Sequence, residues 1–212
     1  MVGKRLFVMF FLASVCFAFG FNNQAAGQEK QSYASLLARV KAFDRSVDFK
    51  AFRLSYTETA EYEPYSKNVE IRKAMFEAFG EKQYDKALQQ AQLILEKEFV
   101  DIDAHHISRL IYRETGNLKQ QDFHQFVTKG LIDSILDSGD GKSPETAYQV
   151  ISVREEYIIL SVLGLKLEKQ GLMGSKGHSY DKMEVKNPRT QETATIFFNV
   201  DLPLGSLNKK LK

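Results

Sequence analysis

The stretch SGDGKSPETAYQV holds Gly141-Lys142-Ser143, the ending of a phosphate-cradling loop. Such a loop also needs a glycine five positions before Gly141. It must leave a strand and open a helix, so that backbone amides point at the anion. Leu136 stands at the required position, Pro144 follows at once, and the pattern runs from helix to strand. A calcium loop needs oxygen ligands at alternate positions, and after Asp137 those positions hold Gly139 and Gly141. The stretch therefore reads as a helix stop in which Gly139 or Gly141 takes a positive φ.

The four histidines are the next candidates for chemistry. His105 and His106 are neighbours on a helical pattern, so they project about 100° apart and cannot grip one ion together. His124 lies on the following helix and can approach one of them across the hairpin. No spacing nominates further ligands, so neither a metal nor a cofactor is assigned. His178 sits in GSKGHSYD beside Ser179, Tyr180 and Asp181, yet neighbours along one strand point to alternate faces and do not converge as a triad. If the chain were a hydrolase, its acid–base groups would come from His178, Asp181, Asp140 and Glu156, gathered where helices meet sheet. YTETAEYEPY concentrates Tyr56, Tyr62 and Tyr65 around Pro64, a candidate platform for a peptide or a sugar.

The elements that must position these residues run helices first and strands last. YASLLARVKAF carries Leu36, Leu37, Val40 and Phe43 at helical spacing. SVDFKAFRLSYTETAEY predicts a second helix, capped by Ser46 with Asp48 in its first turn, striped by Phe49, Phe52 and Tyr56 and broken at Pro64. AMFEAFGEKQYDKALQQAQLILEKE reads as a helical hairpin turning near Gly80, and DAHHISRLIYRETGNLKQQDFHQFVTKGLIDSIL repeats that plan. Tyr84 and Leu118 hold the same place in the two copies, at the repeat length of a tetratricopeptide hairpin. AYQVISV alternates as a strand, and REEYIILSVLGL is open between helix and strand, with Glu155 and Glu156 favouring helix. KLEKQGLM, YDKMEVKN and ETATIFFNVDL read as strands, the last two joined by a turn at NPRTQ. The fold class expected is α+β: tetratricopeptide-like helical hairpins (31–138) packed on a small antiparallel sheet with one helix (146–204), together forming one compact domain over 28–212.

The first 27 residues differ from the rest. Lys4 and Arg5 precede an apolar run from Leu6 to Phe21 that ends in NNQAAGQ, the layout of a secretory signal peptide. Cleavage is expected near Gly27, with Gly20 as the other small-x-small position. Cys16 lies in the apolar run, so cleavage removes the only cysteine. Lys4 and Arg5 are two of 29 basic residues, and the rest of the chain then balances 27 acidic ones with no basic cluster. That balance argues against nucleic acid as a partner.

The segments DFKAFRLSYTETAEYEPY, YDKAL, VDIDAHHI, GLIDSILDSGDGKSPETAYQVISVREEY, GLKLEKQ and GHSYDKMEV…FFNVDLPL, in that order, resemble the Domain of Unknown Function 4919 family of exported proteins from Bacteroides-like bacteria. The family has no assigned activity, so the resemblance implies a context and no catalytic residues. Where the family pattern has Thr-Gly in the final hairpin, this chain has Thr190-Gln191. The function expected is a non-enzymatic interaction or scaffold module of the bacterial cell envelope, periplasmic or envelope-associated. Its partner would be another envelope protein or peptide, and the mature chain would have no transmembrane segment. The alternatives are a hydrolase at the helix–sheet junction and a small-ligand or glycan binder.

Overall fold

The computed structural model describes residues 31–65 and 68–210. The expected leader, with Cys16 and both cleavage positions, lies outside them. Six helices come first: α1 (Tyr33–Lys41), α2 (Phe49–Tyr56), α3 (Val69–Gly80), α4 (Tyr84–Leu95), α5 (Ile102–Glu114) and α6 (Leu118–Leu136). A 3-10 turn (Pro144–Thr146) and the short β1 (Tyr148–Gln149) lead into α7 (Val153–Val162). Then come β2 (Lys166–Ser175), β3 (His178–Lys186), β4 (Thr193–Asn199) and α8 (Asp201–Lys210). The architecture is α+β, and none of the described helices is long and apolar enough to cross a membrane.

Local chemistry sets the boundaries. Asp48, not Ser46, caps α2, accepting from the Ala51 amide at 2.9 Å. Ser46 instead donates its hydroxyl to Asp44. The helix ends at Tyr56, well before Pro64, because the Thr57 and Thr59 hydroxyls take up the carbonyls of Leu54 and Tyr56. Tyr84 and Leu118, the paired positions of the two hairpins, each open a helix. The left-handed residue between α3 and α4 is Lys82, and Gly80 stays helical. α3 packs on α4, α4 on α5 and α5 on α6. Gly130 of α6 faces the Phe49 ring so closely that a Cβ there would lie 2.3 Å from it, which fixes how near α2 and α6 come.

The sheet order is β1-β4-β3-β2. β2, β3 and β4 are antiparallel, and β1 joins parallel to β4 through Tyr148 and Gln149, making the sheet mixed. β1 is only two residues long because Ser152 accepts from the Glu155 amide and starts α7, settling REEYIILSV as helix. Lys176 and Gly177, both with positive φ, make the two-residue turn between β2 and β3. α8 was not expected: its segment contains Pro203 and Gly205, but Pro203 falls in the first turn, where a missing N–H costs nothing.

Two cores result. One gathers α1, α2, α6, α7 and the inner sheet face around Phe52, Leu131, Ile159, Met183 and Phe198. The other lies among α3, α4 and α5, around Met75, Ile94 and Ile111. Small residues at Ala87, Ala91 and Ala104 let those three helices approach closely.

Candidate functional site

Glu155 and Glu156 lie in the first turn of α7, where the partial positive charge of a helix N-terminus favours carboxylates. Both nevertheless point inward and are buried. Glu155 has two donors on one oxygen. Arg53 of α2 ion-pairs with it at 2.9 Å, and the Ile151 amide donates to the same oxygen at 2.8 Å. The other N–H groups of the Arg53 guanidinium donate to Ser134 Oγ (2.9 Å) and to the Gln149 carbonyl (3.0 Å). One buried cation thereby ties α2, α6, β1 and α7 together.

Glu156 has no such cation. It is fully buried, and neither carboxyl oxygen has a hydrogen-bond donor among the described residues. Asp181 lies on β3, on the face shared with Met183 and Val185, and its charge acts on Glu156. Burial pushes the Glu156 carboxyl up to about 9, and the negative charge of Asp181 adds to it. At neutral pH Glu156 therefore keeps its proton. Gln170 of β2 donates its amide to Asp181 Oδ2 at 2.7 Å and accepts from the Tyr157 hydroxyl at 3.0 Å. Those two partners fix which way the amide points. Tyr65 completes the site; its phenol is pushed upward by burial and by the charges of Asp181 and Glu156, while its ring remains 40% exposed.

Three of the residues singled out from the sequence act on one another through their charges: Glu156, Asp181 and Tyr65. Others lie apart from it in structural roles. His178 Nδ1 pairs with Asp201 Oδ2 at 2.6 Å, and the Ser179 amide donates to the other oxygen, fastening the start of β3 to α8. Asp140 accepts from the Thr146 hydroxyl (2.6 Å) and the Lys142 amide (3.0 Å), which closes the SGDGKS loop on itself. Gly141 takes φ +68° there, and its carbonyl accepts from Phe197 of β4. Tyr56 is buried and Tyr62 half-buried, their rings edge-to-face at 5.8 Å, with Tyr62 donating to the Ile151 carbonyl at 2.6 Å. Sequence reasoning missed Arg53 and Gln170. Arg53 had a signal, since it falls within the Phe49, Phe52, Tyr56 stripe where an apolar residue belongs; Gln170 had none.

His105 and His124 do meet across the α5–α6 hairpin, Nδ1 to Nδ1 at 2.9 Å. His105 Nε2 faces the Phe99 carbonyl at 3.0 Å, which can only accept. His105 is therefore the Nε2–H tautomer, and His124 donates from Nδ1. Burial lowers His105 to about 4 and His124 to about 3, so both stay neutral. No group of three or more potential ligands among the described residues is placed to hold a metal ion.

A second feature is a groove of about 570 Å³ between α1 and the α4–α6 hairpins. Its floor is apolar, from Tyr33, Leu37, Leu95, Phe99 and Phe123, and its rim carries Lys41, Glu61, Gln92, Glu96 and Lys97. Lys41 stands over the Phe99 ring at 5.1 Å.

The family model of a domain of unknown function, DUF4919, matches residues 24–209. No curated protein and no solved structure matches the chain.

Proposed function

Given that the chain belongs to the DUF4919 family of domains of unknown function, which spans almost all of it, we propose that it is an exported, non-enzymatic interaction module of the cell envelope. The groove between α1 and the α4–α6 hairpins holds a segment of another envelope protein. The observation that carries this reading is the groove's chemistry: an aromatic and aliphatic floor under a rim with both charge signs. Such a surface suits an amphipathic peptide, burying its apolar side chains and pairing its charged ones. A balanced net charge outside the expected leader fits a peptide partner better than a polyanion.

A photo-crosslinking residue at Gln92, introduced in the producing cell, tests it. One reproducible envelope partner is expected from Gln92 and none from the exposed Leu118, with Leu37→Lys removing the adduct. Equal labelling from both positions refutes the groove. Mass spectrometry of the fractionated protein is expected to find a mature chain beginning at Gln28 or Phe21. A full-length chain in the cytoplasmic fraction overturns the export half of the proposal.

The hydrolase alternative has one observation in its favour, a protonated Glu156 beside Asp181. Carboxyls that cleave glycosides stand about 5–9.5 Å apart to leave room for the scissile bond. Here both carboxyls are buried, Glu156 with no exposed surface, so no substrate bond reaches between them. Binding is therefore the reading we retain.

A further inference from the structure

We propose that the cavity among α5, α6 and α7 is a binding site for a free aliphatic α-amino acid. Its volume is about 280 Å³. Pockets for drug-sized ligands hold about 300–1,000 Å³, so the occupant here is small. The floor is aliphatic, built from Ile102 of α5, Ile132 of α6 and Ile158 of α7, and Val162 stands exposed at the mouth. Arg154, Ile158 and Ser161 fall at helical spacing, so they line the cavity from one side of α7. Asp103 and His106 line it from α5, one turn apart. An aliphatic floor beside a few convergent polar groups is the composition of a small-molecule site.

The charges decide which small molecule fits. Arg154 Nε donates to Asp103 Oδ2 at 2.5 Å, and Arg72 donates to the same oxygen at 3.1 Å. Asp103 Oδ1 has no donor among the described residues, and the terminal N–H groups of Arg154 have no acceptor there. The Arg154 side chain is 43% exposed, with its guanidinium 5.9 Å from the Phe76 ring centroid, so a ligand can reach it from solvent. His106 Nδ1 stands 3.4 Å from an Arg109 nitrogen, which can only donate. The imidazole therefore carries its proton on Nε2. Arg72 also pairs with Asp101, so two acids balance two guanidinium groups around the cavity. A lone carboxylate entering it would meet the charge of Asp103, and a lone ammonium that of Arg154. A zwitterion with both charges on one carbon meets neither penalty. Its nitrogen and carboxyl carbon lie about 2.5 Å apart by bond geometry, which suits two opposite charges already in contact. The ligand carboxylate takes the terminal N–H groups of Arg154 and Nε2–H of His106. The ammonium takes Asp103 Oδ1, and the side chain covers the isoleucines. The Tyr157 hydroxyl is already held by Gln170, so its ring serves as a wall. The site shares no lining residue with the α1 groove, so either can fail without the other.

The test is a nuclear magnetic resonance titration of the purified protein, labelled at its isoleucine methyls, with L-leucine. We expect saturable shifts at Ile102, Ile132 and Ile158 with a Kd of about 1 mM or tighter. Ile94, buried in the other core, should not move. Glycine, which lacks the isobutyl group, should bind at least about tenfold more weakly. Isocaproate lacks the ammonium and isoamylammonium lacks the carboxylate, and each should lose at least about tenfold. N-acetyl-leucine and leucinamide stand for the two ends of a peptide, and either binding as tightly as leucine overturns the free amino acid. Arg154→Gln should weaken leucine binding by at least about tenfold. Ser161→Trp, at an exposed position on the cavity wall, fills the space without touching the charges. It should abolish the shifts with the melting transition unchanged. The proposal is overturned if leucine gives no saturable shift at roughly 20 mM. Equal binding by glycine, isocaproate or isoamylammonium, or undiminished leucine binding by Ser161→Trp, overturns it as well.

Discussion

At the scale of single residues, the structure makes statements that spectroscopy can read directly. The bond from His105 Nε2 to the Phe99 carbonyl forces opposite tautomers on the two buried imidazoles. Nitrogen-15 spectra near pH 7 should show His105 protonated at Nε2 and His124 at Nδ1; matching tautomers would refute the pairing. Gln191 is a second case. It occupies φ +64° in the β3–β4 turn, where a side chain crowds the backbone. Its amide still closes the turn on the Asn187 carbonyl at 2.8 Å. Glycine suits this conformation, so Gln191→Gly should raise stability by roughly 0.5–1 kcal/mol in denaturant unfolding. An unchanged or lower midpoint would show that the side-chain bond from Gln191 to the Pro188 carbonyl outweighs the strain.

Arg53 belongs to the scale of elements, because its partners come from three of them. Replacing it with methionine leaves Glu155 as an uncompensated buried charge. The expected loss is about 3–5 kcal/mol in equilibrium unfolding, whereas replacing both partners with apolar residues should recover much of it. A loss below about 1 kcal/mol would mean that the pair is solvated in solution. Much at this scale was legible in advance. The alternation in YDKMEVKN and TATIFFN follows from one face being buried on the core, and the two hairpins announce themselves by periodicity. α8 was hidden because Pro203 and Gly205 are breakers inside a helix and neutral or tolerated near its start. AYQVISV misled because the Ser152 cap, a single side-chain bond, ends the strand early. The candidate site was half legible. Ionisable side chains stand out in a sequence, and three of those named act on one another; Gln170 is ordinary on an exposed strand until pairing with β3 brings it to Asp181.

For the whole molecule, the buried titratable groups act in opposite directions on stability. His105 and His124 have folded values below 6.5, so the stability held by their neutral forms is complete above pH 6.5 and is lost as pH falls toward about 4 and 3. Glu156 and Glu98 have folded values raised to about 9 and about 8, chiefly by burial. Their contribution is complete below pH 4.5 and is lost as pH rises through those values. Between pH 4.5 and 6.5 the two slopes oppose each other. The melting temperature should therefore form a plateau there and fall on both sides, well below the sequence isoelectric point of 8.5. Glu156→Gln should flatten the alkaline limb and leave the acid limb unchanged. A maximum at pH 8 or above in the unaltered chain would refute the protonated state of both glutamates.

The Arg53 clamp has a further consequence, for the order in which the chain acquires its structure. Its bonds to Ser134, Gln149 and Glu155 close loops of 81, 96 and 102 residues. Closing such loops costs entropy before any contact repays it, and a contact between such distant positions forms late. While α7 is still being synthesised, the cation on α2 must stay in water, and the apolar stripe around it cannot seal. Arg53→Met should then accelerate unfolding strongly while leaving the refolding rate nearly unchanged in stopped-flow measurements.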